Sequence, residues 1–233
     1  MKGFYGRFLL VDLDEMRGRI MRTPGEVCST YLGGKGLGSW LLARYNPPGV
    51  DPLSPMNCLI FATGPLTGSP LLGACRYGVY TKSPQTGLYS ESYSGGKTPE
   101  AVDAAGFDAV VIRGASDEPV VIRVSPDGAS FHDAGDLWGT DCHTAEKEAL
   151  KRFARGDGRR AGAVVIGPAG ENLVRFAVIE NDLWRSAGRT GVGAVMGSKR
   201  VKAIVFQGNR ERPLSDLERL KAFVRESART TKD

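Results

Sequence analysis

The chain has 233 residues, 41% of them hydrophobic and 24% charged, with 31 basic and 26 acidic side chains for a net charge of +5. That profile suits a folded globular protein with one large core or two small ones, and it excludes a disordered chain. The 31 glycines follow no Gly-X-Y period, which excludes collagen, and in a folded domain they point to tight turns and close backbone approach to a ligand.

Residues 4–13, FYGRFLLVDL, read as an opening strand, and the turn at 14–18 suggests a hairpin into RIMRT. YLGGKGLGSWLLARYNPPG is a glycine-rich turn feeding a helix that stops before Pro47 and Pro48. Residues 58–65 and 76–84 are strands ending in turn chemistry. Thr98-Pro99-Glu100 is a helix entrance, with Thr98 as the capping hydroxyl, and that helix ends at Gly106. Strands follow at 108–114 and 119–124, then an amphipathic helix over 141–155 with Ala149, Leu150 and Phe153 on one side. AGAVVIGPAGEN, VRFAVIEND and VKAIVFQG supply three more strands. After GNRERP, which reads as a linker, Ser215 and Glu218 form a capping box for a helix whose face is Leu217, Leu220, Phe223 and Val224.

The chain repeats itself. FATGPLTG, CRYGVY and SGGKTPEAVDAAGFDAVVIRG match VVIGPAGEN, VRFAVI and AGRTGVGAVMGSKRVKAIVFQG in the same order. Each unit has a strand ending in Gly-Pro, a strand opening on Arg-aromatic, a glycine-rich turn into a helix, and a closing strand. The expected fold is therefore α+β, a duplicated β-rich protein of two related sheets with a few helices. Residues 1–210 read as one ligand-binding unit, with the repeat at about 58–114 and 163–208, and 211–233 as a linker and the first helix of a further, missing domain. If the halves face one another, the turns at 93–98 and 185–191 lie on two sides of one pseudo-symmetric ligand. Arg185, Arg189, Lys199 and Arg200 around the second turn suit an anionic one.

Other ligand motifs fail. Gly188, Gly191 and Gly193 run in the reverse order of a dinucleotide fingerprint, and Gly96-Lys97-Thr98 lacks the first glycine of a P-loop because Glu91 stands there. Cys28, Cys58, Cys75 and Cys142 contain no CxxC pair, so they read as small packed thiols. His132 and His143 lack ligand spacing. Glu91, Glu180 and Asp182 lie near the glycine turns as candidate bases, with capping roles equally open. No dense Lys/Arg block with interleaved aromatics supports nucleic acid, no stretch approaches a membrane span, and the N-terminus lacks an apolar signal region. The expected location is cytoplasmic.

The blocks FATGPLTG, RYGVYTKSPQTG, SGGKTPEAVDAAGFDAVVIRG, LWGTD, IGPAGENLVRFAVIEND and RSAGRTGVGAVMGSKRVKAI closely resemble the N-terminal domain of the aldehyde:ferredoxin oxidoreductase family, from about Gly3 to Gly208. The resemblance implies a tungsten- or molybdenum-bis-pterin cofactor whose phosphates are bridged by magnesium, seated on a base of two related sheets. It implies cofactor contacts from Arg76, from the turn Tyr93, Ser94, Gly95 and Gly96, and from Arg185 with the turn Ser186, Ala187, Gly188 and Arg189. Magnesium is then held by the backbone carbonyls of Tyr93 and Ser186. The family usually carries Asn at the place of Tyr93 and Ala at that of Ser186, so this turn departs from the pattern, and core packing is the other reading of Tyr93. No catalytic residue is assigned within the chain. The [4Fe–4S] ligands of the family lie in later helical domains, so the implied partners are those missing domains or a partner subunit, and ferredoxin through the full-length enzyme. A homodimer is compatible with this reading. The parent reaction is oxidation of an aldehyde, or a related substrate, to the acid, and this piece alone is expected to be inactive. A stand-alone, non-catalytic pterin carrier or a split subunit is the competing reading.

Overall fold

A computed structural model describes residues 1–156 and 160–230. The first half runs β1 (Arg7–Asp12), β2 (Arg17–Arg22), α1 (Gly25–Tyr31), α2 (Gly34–Tyr45), β3 (Leu59–Thr63), β4 (Tyr77–Lys82), β5 (Tyr89–Ser94), α3 (Thr98–Ala104) and β6 (Ala109–Arg113). The second runs β7 (Val120–Ser125), β8 (Gly128–Asp133), α4 (Cys142–Phe153), β9 (Arg160–Val165), α5 (Pro168–Glu171), β10 (Ile179–Asn181), β11 (Arg185–Ala187), α6 (Val192–Ser198) and β12 (Val201–Gly208). Helix α7 (Leu217–Thr230) follows.

The strands form two six-stranded sheets in the orders β2-β1-β6-β3-β4-β5 and, read in the same sense, β8-β7-β12-β9-β10-β11. Each strand of one sheet has a counterpart at the same place in the other. In both sheets only the pairing of the first and last strands of the half, β1 with β6 and β7 with β12, is parallel. The fold is a duplicated α+β arrangement, and the correspondence takes in the opening hairpins as well as the segments whose sequences match.

The sheets face one another across the main core. Leu9, Phe61, Tyr77 and Val110 from the first meet Ile122, Val164, Ile204 and Phe206 from the second, with Val102 of α3 and Val195 and Met196 of α6 packed in. Phe61 sits between Tyr77 and Phe206, its ring centroid 5.9 Å from each. On the outside, α2 places Leu37 and Leu41 against Ile60 and Tyr80. Its Gly38 lies so close to the Tyr80 ring that a Cβ there would stand 2.3 Å from Cδ2. Helix α4 covers the other sheet with Ala145 and Ala149, and Leu150 and Phe153 pack at its margin. Asp141 caps α4 by accepting from the Thr144 amide at 3.0 Å.

Several expectations differ from what the fold shows. Helices α1 and α5 and strands β5, β8 and β11 were not anticipated; α5 takes the end of AGAVVIGPAGEN, where Pro168 at its first turn starts a helix instead of continuing β9. VRFAVIEND holds only a three-residue strand, because the Ala177 carbonyl accepts from Gly193 at 2.9 Å and so turns toward α6 instead of a neighbouring strand. The capping hydroxyl expected of Thr98 is instead the first helical residue of α3, and the cap comes from the other half of the chain, as described below. Helix α7 is capped not by a Ser215–Glu218 box but by Asp216, whose carboxylate accepts from the Arg219 amide at 2.8 Å. GNRERP is no loose linker, since Arg212 is buried in it. Residues 231–233, the end of the expected last helix, lie outside the described residues.

Candidate functional site

Strand β5 alternates with period two. Tyr89, Glu91 and Tyr93 face the α2 side, whereas Ser90, Ser92 and Ser94 are buried and face the second half. Those three serines tie the two glycine turns together. The Ser90 hydroxyl meets the Thr190 hydroxyl, Ser92 Oγ accepts from the Arg189 amide at 3.0 Å, and the Ser94 hydroxyl donates to Asn181 Oδ1 at 2.6 Å. The turns expected on two sides of one ligand are thus brought side by side.

They also occupy equivalent places. Tyr93 and Ser186 are the penultimate residues of β5 and β11, each followed by a buried small residue, Ser94 or Ala187, and then by Gly95 or Gly188. Because the Ser94 and Ala187 side chains point into the protein, what these positions present outward is main chain. Ser186, Gly188 and Arg189 are exposed. Arg76, just before β4, and Arg185, which opens β11, are both exposed and flank the first turn. A Cβ on Gly95 would lie 3.8 Å from Arg76 Cζ, and one on Gly96 would lie 3.3 Å from Arg185 Cγ. The guanidiniums of Arg76, Arg185 and Arg189 make no hydrogen bond or ion pair with any described residue.

The Tyr93 side chain turns away from this shelf. Its ring meets Tyr80 edge-on at 6.1 Å and its hydroxyl donates to Glu91 Oε2 at 3.2 Å. Glu91 is paired with Lys35 at 2.9 Å, which holds its carboxyl below the usual range. It is therefore tied up on the outer face, which removes the ground for reading it as a base.

Beneath the turns lies a polar cluster of Asn181, Asp182 and Glu146, of which the sequence reading named only Asp182. Asn181 is fully buried: Oδ1 accepts from the hydroxyls of Tyr77 (2.8 Å) and Ser94, and Nδ2 donates to the Gly95 carbonyl at 3.0 Å. The Asp182 carboxylate accepts from the amides of Lys97 (2.6 Å) and Thr98 (3.1 Å) and from the Thr98 hydroxyl (2.9 Å), so it caps α3 from across the molecule. Asp182 is a cap, not a free base. Glu146 of α4 accepts from the Asp182 and Leu183 amides at 2.7 and 2.9 Å; burial pushes its carboxyl up, and those two amides oppose the shift. The signal for Asn181 and Asp182 was their place, END immediately before LWRSAGR, whereas Glu146, inside α4, carried none.

Lys199, expected to face the ligand with the other cations, is fully buried instead. Its Nζ donates to the carbonyls of Pro55 and Gly114, both at 3.0 Å. Two acceptors match the two N–H bonds of a neutral amine, and burial pushes the amine down to about 8 from an ordinary 10.5. Between those two values the unfolded chain binds the proton and the folded chain does not, so this group makes stability rise with pH across that window. The buried Cys58 thiol, pushed up to about 11, acts in the opposite sense. Urea unfolding of wild type against Lys199→Met isolates the lysine: the stability difference is expected to move in favour of wild type by on the order of 2 kcal/mol between pH 8 and 10.

Among the described residues no cluster of His, Cys, Asp and Glu could hold a metal ion, and the four cysteines are free. A cleft of about 480 Å³ lined by Thr67, Asp103, Arg160 and Arg212 includes none of the turn residues. The shelf between β5 and β11 is open, so a ligand resting on it needs a second wall from elsewhere.

The model of the aldehyde ferredoxin oxidoreductase N-terminal domain matches residues 8–208. The chain belongs to the aldehyde ferredoxin oxidoreductase family. It is 42% identical over 226 residues to a tungsten-containing aldehyde ferredoxin oxidoreductase of Thermococcus kodakarensis, a match covering 97% of this chain and 37% of the relative. It is 32% identical over 239 residues to an aliphatic sulfonate oxidoreductase, WOR-like subunit, of Pyrococcus furiosus, covering 97% of this chain and 38% of that one. The structure superposes with a TM-score of 0.84 on a chain of the active site complex BamBC of benzoyl coenzyme A reductase, at 38% identity, covering 90% of this chain and 32% of that chain. The chain thus spans little more than a third of the length of the aldehyde ferredoxin oxidoreductases it matches. No helix among the described residues is long and apolar enough to cross a membrane.

Proposed function

We propose that this chain is the base on which a tungsten- or molybdenum-bis-pterin cofactor rests in an aldehyde ferredoxin oxidoreductase-type enzyme. The observation that carries the reading is the pair of exposed guanidiniums, Arg76 and Arg185, on either side of the bare turn at Gly95 and Gly96, with no partner among the described residues. Uncommitted arginines beside exposed main chain suit phosphate oxygens and the face of a flat ring. A pseudo-two-fold pair of turns suits a ligand made of two like halves.

Arg76 and Arg185 would hold phosphate or pterin edges at the first turn, and Arg189 would do so at the second. The exposed main chain at Gly95, Gly96 and Gly188 lets a ring system approach without a Cβ in the way. Tyr93 and Ser186 would offer backbone carbonyls to a phosphate-bridging magnesium, a role that tolerates tyrosine because its side chain points to α2. When bound, the metal–pterin group supplies the two-electron chemistry that takes an aldehyde or related substrate to the acid, with electrons leaving for ferredoxin through an iron–sulfur cluster held outside this chain. The residues here bind and orient. The relatives' names span aldehydes, aliphatic sulfonates and a coenzyme A thioester, which supports placing substrate choice beyond this domain.

The test is Arg185→Ala in the full-length protein, with Lys151→Ala on the exposed face of α4 as control. Metal and pterin per chain are expected to fall about tenfold in the first variant, the scale of one lost charge-assisted bidentate contact, and to stay at wild-type levels in the second. Unchanged metal and pterin in Arg185→Ala would remove the assigned role.

A further inference from the structure

The two turns are not merely adjacent; each half of the chain grips the other half's helix entrance. From the second half, Asp182 reaches the Lys97 and Thr98 amides and the Thr98 hydroxyl at the start of α3, a helix with no cap of its own. From the first half, the Ser83 hydroxyl, just after β4, donates to the Thr190 carbonyl at 2.7 Å, just before α6. Ser83 and Asp182 stand at matching places, the turns that join β4 to β5 and β10 to β11. Asn181 completes the link by holding Tyr77, Ser94 and the Gly95 carbonyl with one amide.

The grip is built at the expense of backbone strain. Asp182 and Leu183 have φ of 50° and 63°, left-handed values that non-glycine residues rarely adopt. Glu146 holds both in place through their amides. A simple hairpin would put glycine or asparagine there; here the strained turn instead aims an aspartate across the molecule. Strain kept by surrounding contacts is a mark of a positioned site. Gly96 is shaped to receive that aspartate: at its φ of 100°, a Cβ would stand 2.1 Å from Asp182 Oδ2.

We infer that Asn181, Asp182 and Ser83 are positioning residues that set the spacing between the turn at 93–96 and the turn at 185–189, and through it the relative placement of the two pterins. The inference rests on the cofactor reading above. None of the three side chains needs to touch the cofactor: Asn181 acts through the Gly95 carbonyl, Asp182 through the amides ahead of α3, and Ser83 through Thr190. Glu146 is the support that keeps Asp182 in its strained conformation.

The test uses the full-length holoenzyme carrying Asp182→Asn, with Thr98→Val as a milder variant that removes only the hydroxyl contact. Two readouts separate positioning from general stability. Amide hydrogen exchange at Lys97 and Thr98 is expected to quicken about tenfold in Asp182→Asn, while exchange at Ile60 and Val111 in the core strands stays as in wild type. The paramagnetic resonance spectrum of the bound tungsten or molybdenum is expected to shift and broaden in both variants, with the pterin-to-metal ratio retained. Faster exchange with a wild-type spectrum would overturn the inference and leave the cofactor reading standing, because the grip would then be structural only. Unchanged exchange would overturn it as well, by showing that the grip carries no weight. A wild-type protein that holds neither metal nor pterin would overturn the cofactor reading and this inference with it.

Discussion

Arg212→Met is expected to destabilise the chain by about 4 kcal/mol, read as a fall in the urea midpoint at constant slope. Arg212 is 8% exposed and follows the last strand, yet its guanidinium ties the chain back to the N-terminal half. Nε and Nη2 donate to Asp103 at 2.9 and 2.6 Å, Nη1 to Asp108 at 2.6 Å and to the Gly3 carbonyl at 3.0 Å, and Nη2 also to the Thr63 hydroxyl at 2.9 Å. Tyr5 lays its ring against the guanidinium, 4.5 Å from Cζ, while its hydroxyl donates to Asp103 at 3.2 Å. Methionine fills most of the volume but leaves two buried carboxylates without their cation. Burial already pushes the Asp103 carboxyl up, against the pull of the arginine, and without Arg212 nothing opposes that push as strongly. A buried ion pair adds little net stability when compared with an apolar substitute for both partners, yet breaking one side of it is expensive. A loss below about 1 kcal/mol would show that water reaches the cluster and that the geometry does not hold the end of the domain in place.

Gly96→Ala is expected to cost about 3 kcal/mol and to reduce metal and pterin in the full-length protein by about tenfold or more. Two effects add. The residue sits at φ 100°, where an L side chain is strained, and its Cβ would enter the space of the Asp182 carboxylate. The backbone cannot rotate to relieve the first without losing the Lys97 and Thr98 amides that Asp182 holds. Gly49, also left-handed at φ 72° but with nothing near its Cβ position, is the matched control, and Gly49→Ala should show the strain without the clash or the loss of cofactor. Equal stability losses in the two variants would mean that the grip on Asp182 contributes nothing beyond backbone strain.

Much of the fold was legible in the chain. The paired segments around Gly64-Pro65 and Gly167-Pro168 announced a duplication, and the apolar runs at 59–63, 109–113 and 201–208 announced its central strands. Strand β5 escaped because its inward face is Ser90, Ser92 and Ser94, a polar set that fits only because the opposing surface is the polar turn of the other half. The short β11 escaped because three residues are too few to show a period, and β10 is only the last part of the strand expected over VRFAVIEND. Lys199 looked like a ligand-facing cation because of the glycine-rich and basic residues around it in sequence, the exposed Arg200 among them; the fold turns it inward to Pro55 and Gly114. Arg212 looked like linker for the same reason.

By itself the sequence determined the family, the two related halves, the two glycine turns and the arginines beside them, since each is written in neighbouring residues. The tertiary structure alone decided which groups are committed and which are free. It set Asp182 on the entrance of a helix 84 positions earlier and Arg212 on an aspartate 109 positions earlier, while leaving Arg76, Arg185 and Arg189 without partners among the described residues. Contacts at such separations depend on how two sheets close over a shared core, and no local spacing of residue types encodes that.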